Sequence, residues 1–128
     1  MLNRSGIKKE TMVSPVQILF NVQNQMSVGI KLAKDFAGAV TENGRKVVKA
    51  GTPLTGDLTN RSTAFTAASD TAVGILLHDV DVTDADANAS LLIWGFVNLD
   101  RVDTTTAAKI TSGIQTSLAG RVWFLKDN

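Results

Sequence analysis

The residues best suited to chemistry in this sequence are a run of carboxylates that follows the single histidine. His78 is followed at once by Asp79, and Asp81 and Asp84 come shortly after. Closely spaced carboxylate oxygens are the ligands that hard cations prefer. A calcium loop that starts at Asp79, however, needs a glycine where Asp84 stands and a bidentate glutamate where Ser90 stands. The pattern therefore predicts a solvated acidic strand end, with a metal-dependent site as the alternative.

Other catalytic signatures are missing from the sequence. His78 and Asp79 are neighbours, and neighbouring residues on a strand point to opposite faces, so they are not expected to form a base with its orienting carboxylate. The chain contains no cysteine and no tyrosine, and no Gly-x-Ser-x-Gly motif supplies a nucleophile. The glycine that a phosphate loop requires before Gly44-Arg45-Lys46 is absent. We therefore expect no enzymatic activity, no cofactor and no bound metal.

Length and composition predict one folded domain. The chain has 128 residues, of which 44% are hydrophobic and 20% charged, and this balance excludes global disorder. The net charge of +1 argues against a direct nucleic-acid partner. Residues 12–30 hold an uncharged stretch, but its many amide side chains make it unsuitable as a membrane span.

The charges are unevenly distributed along the chain. Residues 1–50 carry eight basic and three acidic side chains, whereas residues 51–103 carry two and eight. Such an arrangement suits contacts between copies or with a charged surface, and it is equally compatible with two solvated faces.

The pattern of hydrophobic residues predicts a β-rich domain preceded by an arm. Residues 1–14 are polar and without a sustained period, which is typical of a flexible N-terminal arm, and residues 15–128 form the domain. Alternation predicts an edge strand over 16–22 and another strand over 28–32. Asn43-Gly44 predicts a hairpin turn, because both residues tolerate positive φ.

The core is predicted to lie in the second half of the chain. Apolar runs over 72–82 and 90–99 indicate two buried strands that pair, with Gly95 as a bulge or a close-packing point. Asp103 is suited to cap one helix, which carries apolar residues at 107, 110, 114 and 118 and ends before Gly120. A last short strand follows over 121–126. The fold class is therefore α+β and β-rich: a single compact domain of antiparallel or mixed strands with one helix near the C-terminus.

Aromatic residues are few, and they mark a candidate subunit interface. The chain has five phenylalanines and two tryptophans. Of these, Trp94, Phe96 and Trp123 lie in predicted strands, where they fill the core or anchor a contact between subunits.

Three stretches resemble the head decoration (capsid cement) proteins of tailed bacteriophages, of the lambda-like class. They are residues 46–54 (KVVKAGTPL), 72–82 (AVGILLHDVDV) and the closing helix and strand over 115–126. The resemblance covers roughly residues 45–126. It implies a β-rich domain that assembles as a homotrimer and attaches at the three-fold and quasi-three-fold positions of an expanded head.

The same resemblance implies a partner and a location. The partner would be the major capsid protein, and the location the outer surface of the virion, after synthesis in the cytoplasm of the bacterial host. The protein would stabilise the head against the pressure of its DNA. We expect the arm and the edge strand to contact the shell, the arm by polar contacts and the strand by strand addition. These candidate capsid-binding residues are Arg4, Lys8, Lys9, Val16, Ile18 and Phe20.

Three alternatives stay open at this point. A tail-tube or head–tail connector subunit would form rings or tubes rather than isolated trimers. A small metal-dependent hydrolase would use His78, Asp79, Asp81 and Asp84. A carbohydrate-binding module would need an exposed aromatic platform.

Overall fold

Two sheets and a short helical segment form the domain. The computed structural model describes residues 17–19 and 25–127. In this part of the chain the strands are β1 (Met26–Leu32), β2 (Val40–Glu42), β3 (Arg45–Val48), β4 (Pro53–Thr55), β5 (Thr66–Ala67), β6 (Gly74–Leu76), β7 (Val80–Asp81), β8 (Ala87–Asn98) and β9 (Val122–Leu125). The helices are α1 (Thr104–Ala107) and α2 (Ser112–Ser117), and a 3₁₀ helix spans Leu99–Arg101. The predicted arm, residues 1–14, lies outside the described residues.

The larger sheet is built around the long strand β8. Its strands follow the order β1-β8-β6-β4-β5 with antiparallel neighbours, and β9 pairs with β8 in parallel. A bridge between Leu32 and Phe65 brings the end of β1 next to the residue that precedes β5. The smaller sheet has the order β2-β3-β7. The fold class predicted from the sequence, α+β and β-rich in one compact domain, is confirmed.

Two hydrophobic clusters lie on opposite sides of β6 and β8. Ile75 and Leu92 point to the cluster that contains Ile114 of α2 and Leu118 at the end of α2, and the neighbouring residues of these strands point to the cluster around Phe65. Because successive side chains of a strand alternate between faces, a strand between two clusters is apolar throughout. The predicted pairing of the buried strands in 72–82 and 90–99 is confirmed for β6 and β8, since Ile75 lies opposite Leu92. The prediction of a single strand over 72–82 is wrong, because Val80–Asp81 forms the separate strand β7, which pairs with β3 in the smaller sheet.

The hairpin between β2 and β3 turns at Asn43-Gly44. Asn43 has φ +52° and Gly44 has φ +77°, and Glu42 pairs with Arg45 across the turn. Positive φ at both central positions is the requirement of a type I′ turn, whose twist matches the flanking strands. The hairpin predicted from the Asn-Gly pair is confirmed.

The helical segment near the C-terminus is interrupted. Asp103 caps α1 as predicted, since its carboxylate accepts a hydrogen bond from the backbone N–H of Thr106. The apolar spacing predicts one helix to Leu118, but Thr111 has an extended backbone (φ −78°, ψ 173°) and caps a second helix by accepting from the N–H of Ile114. A side chain that satisfies an orphan N–H begins a helix, so the segment restarts at α2.

Candidate functional site: an exposed aromatic cluster

Trp94, Phe96 and Trp123 come together on one face of the larger sheet; we call them the aromatic cluster. Phe96 lies directly opposite Trp123 in the parallel pairing of β8 and β9. Their rings stack with centroids 4.9 Å apart, and Trp94 meets both rings edge-on at 6.0 Å. The three residues proposed from the sequence as a subunit interface are therefore neighbours in space.

The two tryptophans of the aromatic cluster are only partly covered. Trp94 is 40% exposed and Trp123 is 39% exposed. Met26, opposite Trp94 on β1, and Leu125, two residues after Trp123 on β9, are exposed as well. We call these two residues and the aromatic cluster together the apolar face. Exposed and contiguous apolar surface of this kind marks interaction sites in soluble proteins.

An irregularity in β8 turns Trp94 outward. Met26 pairs with Trp94, but the next residue, Ser27, pairs with Leu92, so β8 holds one extra residue, Ile93, at this point. A bulge of one residue reverses the faces that the following side chains take. Leu92 is fully buried, and without the bulge Trp94 would point to the same face as Leu92.

Gly95 allows close packing behind the aromatic cluster. Its φ is +155°, and a Cβ atom built there would lie 3.2 Å from Cβ of Gln25 and 3.2 Å from Cδ1 of Leu92. Behind β9, Val122 is buried in the same cluster as Leu118, which follows α2. The aromatic cluster therefore stands on a packed layer, which keeps the rings in fixed positions.

Of the candidate capsid-binding residues predicted from the sequence, Ile18 is the one that the structure describes. Ile18 is fully buried in the core, and its carbonyl accepts a hydrogen bond of 2.8 Å from the N–H of Asn98. Leu19 is 2% exposed and forms a bridge with Val97. Two consecutive buried residues do not make a half-exposed edge strand, so the side chain of Ile18 is part of the core rather than a contact for a partner. The other candidates lie outside the described residues: Arg4, Lys8, Lys9, Val16 and Phe20.

The acidic run is neutralised by basic residues of the hairpin. Arg45 donates to Asp81 and to Asp84, each at 2.8 Å. This hydrogen bond from Arg45 lowers the pKa of Asp81 to about 2. Lys49 pairs with Asp79 at 3.2 Å, and the second carboxylate oxygen of Asp79 accepts from the N–H of Ala50.

This arrangement gives the hydrolase alternative no support. The carboxylates of Asp79, Asp81 and Asp84 each face a cation of the protein, and a metal ion would have to displace Arg45 or Lys49. Among the described residues, no group of three or more histidine, cysteine, aspartate or glutamate side chains is placed to hold a metal.

Some of the opposite charges of the two halves of the chain meet within the protein. Besides the pairs of Arg45 with Asp81 and Asp84 and of Lys49 with Asp79, Lys31 lies 3.8 Å from Asp86. Each of these four pairs joins a basic residue from the first fifty positions to an acidic residue of the later segment, while Lys49 also pairs with Glu42 at 3.0 Å. The uneven charge along the sequence therefore serves in part to attach the hairpin to β7 and its following turn.

The angles between the rings of the aromatic cluster indicate what it can bind. Trp94 and Trp123 are inclined at 87°, and Phe96 is stacked on Trp123 at 22°. A flat sugar ring stacks best on an open aromatic face, and rings arranged edge to face do not form one common plane. The geometry suits insertion of irregular apolar side chains better than a carbohydrate platform.

Comparisons with known proteins add no family to these observations. No family model matches the chain, and no curated protein matches its sequence. Within the described residues, no helix is both long and apolar enough to span a membrane.

Proposed function

We propose that this protein is a structural component of a bacteriophage virion, a decoration protein that binds the outside of the expanded head and stabilises it. It would assemble as a homotrimer at three-fold and quasi-three-fold positions, with the major capsid protein as its partner. Its work would be adhesion, and no bond would be made or broken.

The observation that carries the proposal is the apolar face. Two tryptophans with about two fifths of their surface open to solvent are costly on a protein without a partner. Tryptophan is also among the residues that contribute most to protein interfaces. The aromatic cluster is therefore the natural anchor for contacts between copies. The resemblance of residues 46–54, 72–82 and 115–126 to decoration proteins directs the proposal to a phage head.

The attachment to the shell is proposed to come from the N-terminal residues. Arg4, Lys8 and Lys9 would make polar contacts with the shell, and Val16 and Phe20 would contact it as well. In a trimer the binding of one arm raises the effective concentration of the others, which strengthens attachment by roughly 10²–10⁴-fold over a single contact. A weak arm is then sufficient.

Deletion of residues 1–14 tests whether the arm binds the shell while the rest of the chain forms the contacts between copies. The shortened protein should keep the oligomeric state of the full chain and should no longer sediment with expanded heads. A shortened protein that still decorates heads would contradict the role of the arm. Loss of both oligomer and head binding would place the arm in the subunit contact instead.

A tail-tube or head–tail connector subunit remains the second candidate, because such subunits also use apolar faces to assemble. The two are separated by the mass of the assembled protein. A trimer is expected for a decoration protein, and a larger ring or an open-ended tube for the alternative.

A further inference from the structure

The tip of the β2–β3 hairpin combines a reactive dipeptide with an open environment. Asn43 and Gly44 form the only Asn-Gly pair of the sequence. Both residues are exposed. Outside Gly44 and its two chain neighbours, no heavy atom lies within 4 Å of the position that a Cβ of Gly44 would take. The backbone nitrogen of Gly44 is therefore hindered neither by its own side chain nor by neighbours.

The hairpin that carries this pair is weakly held at its outer side. β2 is an edge strand within the described residues and joins β3 through only three residue pairs. On the other side, β3 pairs with β7 through Val47 and Val48. The ion pairs of Arg45 at the base of the turn are exposed. Exposed edge elements with few buried contacts open locally at low free-energy cost.

From these observations we propose that Asn43 is a site of spontaneous modification, the deamidation of its side chain through a cyclic imide. The backbone nitrogen of Gly44 attacks Cγ of Asn43, and a C–N bond forms. The bond from Cγ to the side-chain nitrogen breaks, and ammonia leaves with the proton of the Gly44 amide. Water then opens the five-membered imide at either carbonyl and yields aspartate or isoaspartate. Water is the only co-reactant.

The closed turn slows this reaction. The left-handed conformation of Asn43 and Gly44 must be given up before Cγ reaches the nitrogen, so the imide forms from the opened hairpin. The rate of deamidation therefore follows the rate and extent of opening. Arg45, by binding Asp81 and Asp84, protects the site although it does not touch the reacting atoms.

The two products differ in their effect on the hairpin. Aspartate is accepted in a type I′ turn beside glycine, so the hairpin would be kept. Isoaspartate adds one carbon to the backbone of a two-residue turn, and the pairing of Glu42 with Arg45 would be lost. Formation of isoaspartate at Asn43 would thus loosen the hairpin from β7 as the protein ages. It is independent of the function proposed above.

The test uses the full-length protein incubated at about 37 °C and mildly alkaline pH, with peptide mapping by mass spectrometry over several weeks. Asn60 and Asn88, which precede arginine and alanine, are internal controls in the same sample. Isoaspartate is quantified by enzymatic methylation, and amide hydrogen exchange follows β2 and β3. We expect Asn43 to deamidate at least about tenfold faster than either control, because only glycine lacks a Cβ at the attacking residue.

Two variants test how the hairpin and the deamidation of Asn43 affect each other. Asn43→Asp should keep the exchange protection of β2 and β3, whereas protein rich in isoaspartate should lose it. Arg45→Gln should accelerate the deamidation of Asn43 and leave the controls unchanged. Deamidation of Asn43 no faster than that of Asn60 would overturn the proposal. Unchanged protection in the isoaspartate form, or an unaltered rate in Arg45→Gln, would overturn the part of it that concerns the hairpin.

Discussion

Replacement of Trp94 by alanine should weaken self-association and leave the protein folded. Trp94 has 40% of its surface exposed. Its open area is about 100 Å², since a tryptophan carries up to about 250 Å². Covering this area in a subunit contact contributes about 2.5 kcal/mol at 25 cal/mol per Å². The Trp94→Ala variant should therefore associate between about tenfold and a hundredfold more weakly at each contact.

The same substitution also lowers the stability of the subunit. It removes two edge-to-face contacts, to Phe96 and Trp123, each worth about 0.5–1.5 kcal/mol. Because the covered part of the Trp94 side chain is lost as well, the free energy of unfolding should fall by about 3–5 kcal/mol, which a domain of ordinary stability tolerates. The stacked pair of Phe96 and Trp123 stays in place, so the variant should remain folded.

Sedimentation equilibrium over a range of protein concentrations measures the association, and urea unfolding measures the stability. Leu58→Ala is the matched control, because Leu58 is also an exposed large apolar residue (36%) but lies in the loop between β4 and β5. The control should associate like the wild-type protein. A folded Trp94→Ala protein with wild-type association would refute the assignment of the apolar face to contacts between copies.

Two further predictions concern stability. Arg45→Gln should lower the free energy of unfolding at neutral pH, and the difference from wild type should shrink as the pH falls from about 4 to 2. At a pH above the unfolded-state pKa of Asp81, the ionised carboxylate stabilises the fold through Arg45. This contribution is lost as the pH falls toward the folded-state pKa of Asp81, which is about 2. Urea unfolding at several pH values measures the difference between the two proteins. Gly74→Ala should lower the free energy of unfolding by about 1–3 kcal/mol, because the new Cβ would lie 2.6 Å from the carbonyl oxygen of Leu92. Gly29→Ala places its Cβ in open space and should change the free energy of unfolding by less than about 0.5 kcal/mol in the same assay.

The predictions for Arg45→Gln and Gly74→Ala each have a control variant. Lys109→Gln also removes one positive charge, at an exposed position on the loop between α1 and α2. Its difference from wild type should not depend on pH between about 4 and 2, since Lys109 does not act on Asp81. An equal pH dependence in both variants would show that net charge, not the Arg45 pair, is responsible. Equal costs for the two glycine substitutions would contradict the close packing at Gly74.

Local features of the fold could be predicted from the sequence where one or two residues decide the conformation. Asn43-Gly44 determines its turn, because both positions require positive φ. Asp103 caps a helix with its own carboxylate. The sequence predicts buried strands in 72–82 and 90–99 because each range contains a continuous apolar run with no polar face, although 72–82 ends in alternation.

Other features depend on tertiary contacts that no local pattern encodes. Pro53 and Leu54 suggest only the end of a turn, yet they begin β4, which pairs with β5 and β6. A proline is tolerated there because it is the first residue of the strand. Ile18 has the spacing of an edge strand, but its pairing with Asn98 places it in the core.

The candidate site could be predicted as a set of residues but not as a geometry. The sequence singles out Trp94, Phe96 and Trp123 because aromatic residues buried in an interface contribute much of its energy. Their meeting depends on the parallel register of β8 and β9, which are separated by the helical segment. It also depends on the extra residue Ile93, which alternation alone does not reveal. The ion pairs between the hairpin and β7 are likewise contacts between distant segments.

We propose that this protein acts by adhesion to a phage head, and co-sedimentation of the purified full chain with expanded and unexpanded phage heads tests this most directly. We expect saturable binding to expanded heads only, in multiples of three copies at each three-fold position, with heads that then resist heat better. Binding to neither form, or equal binding to both, would contradict it.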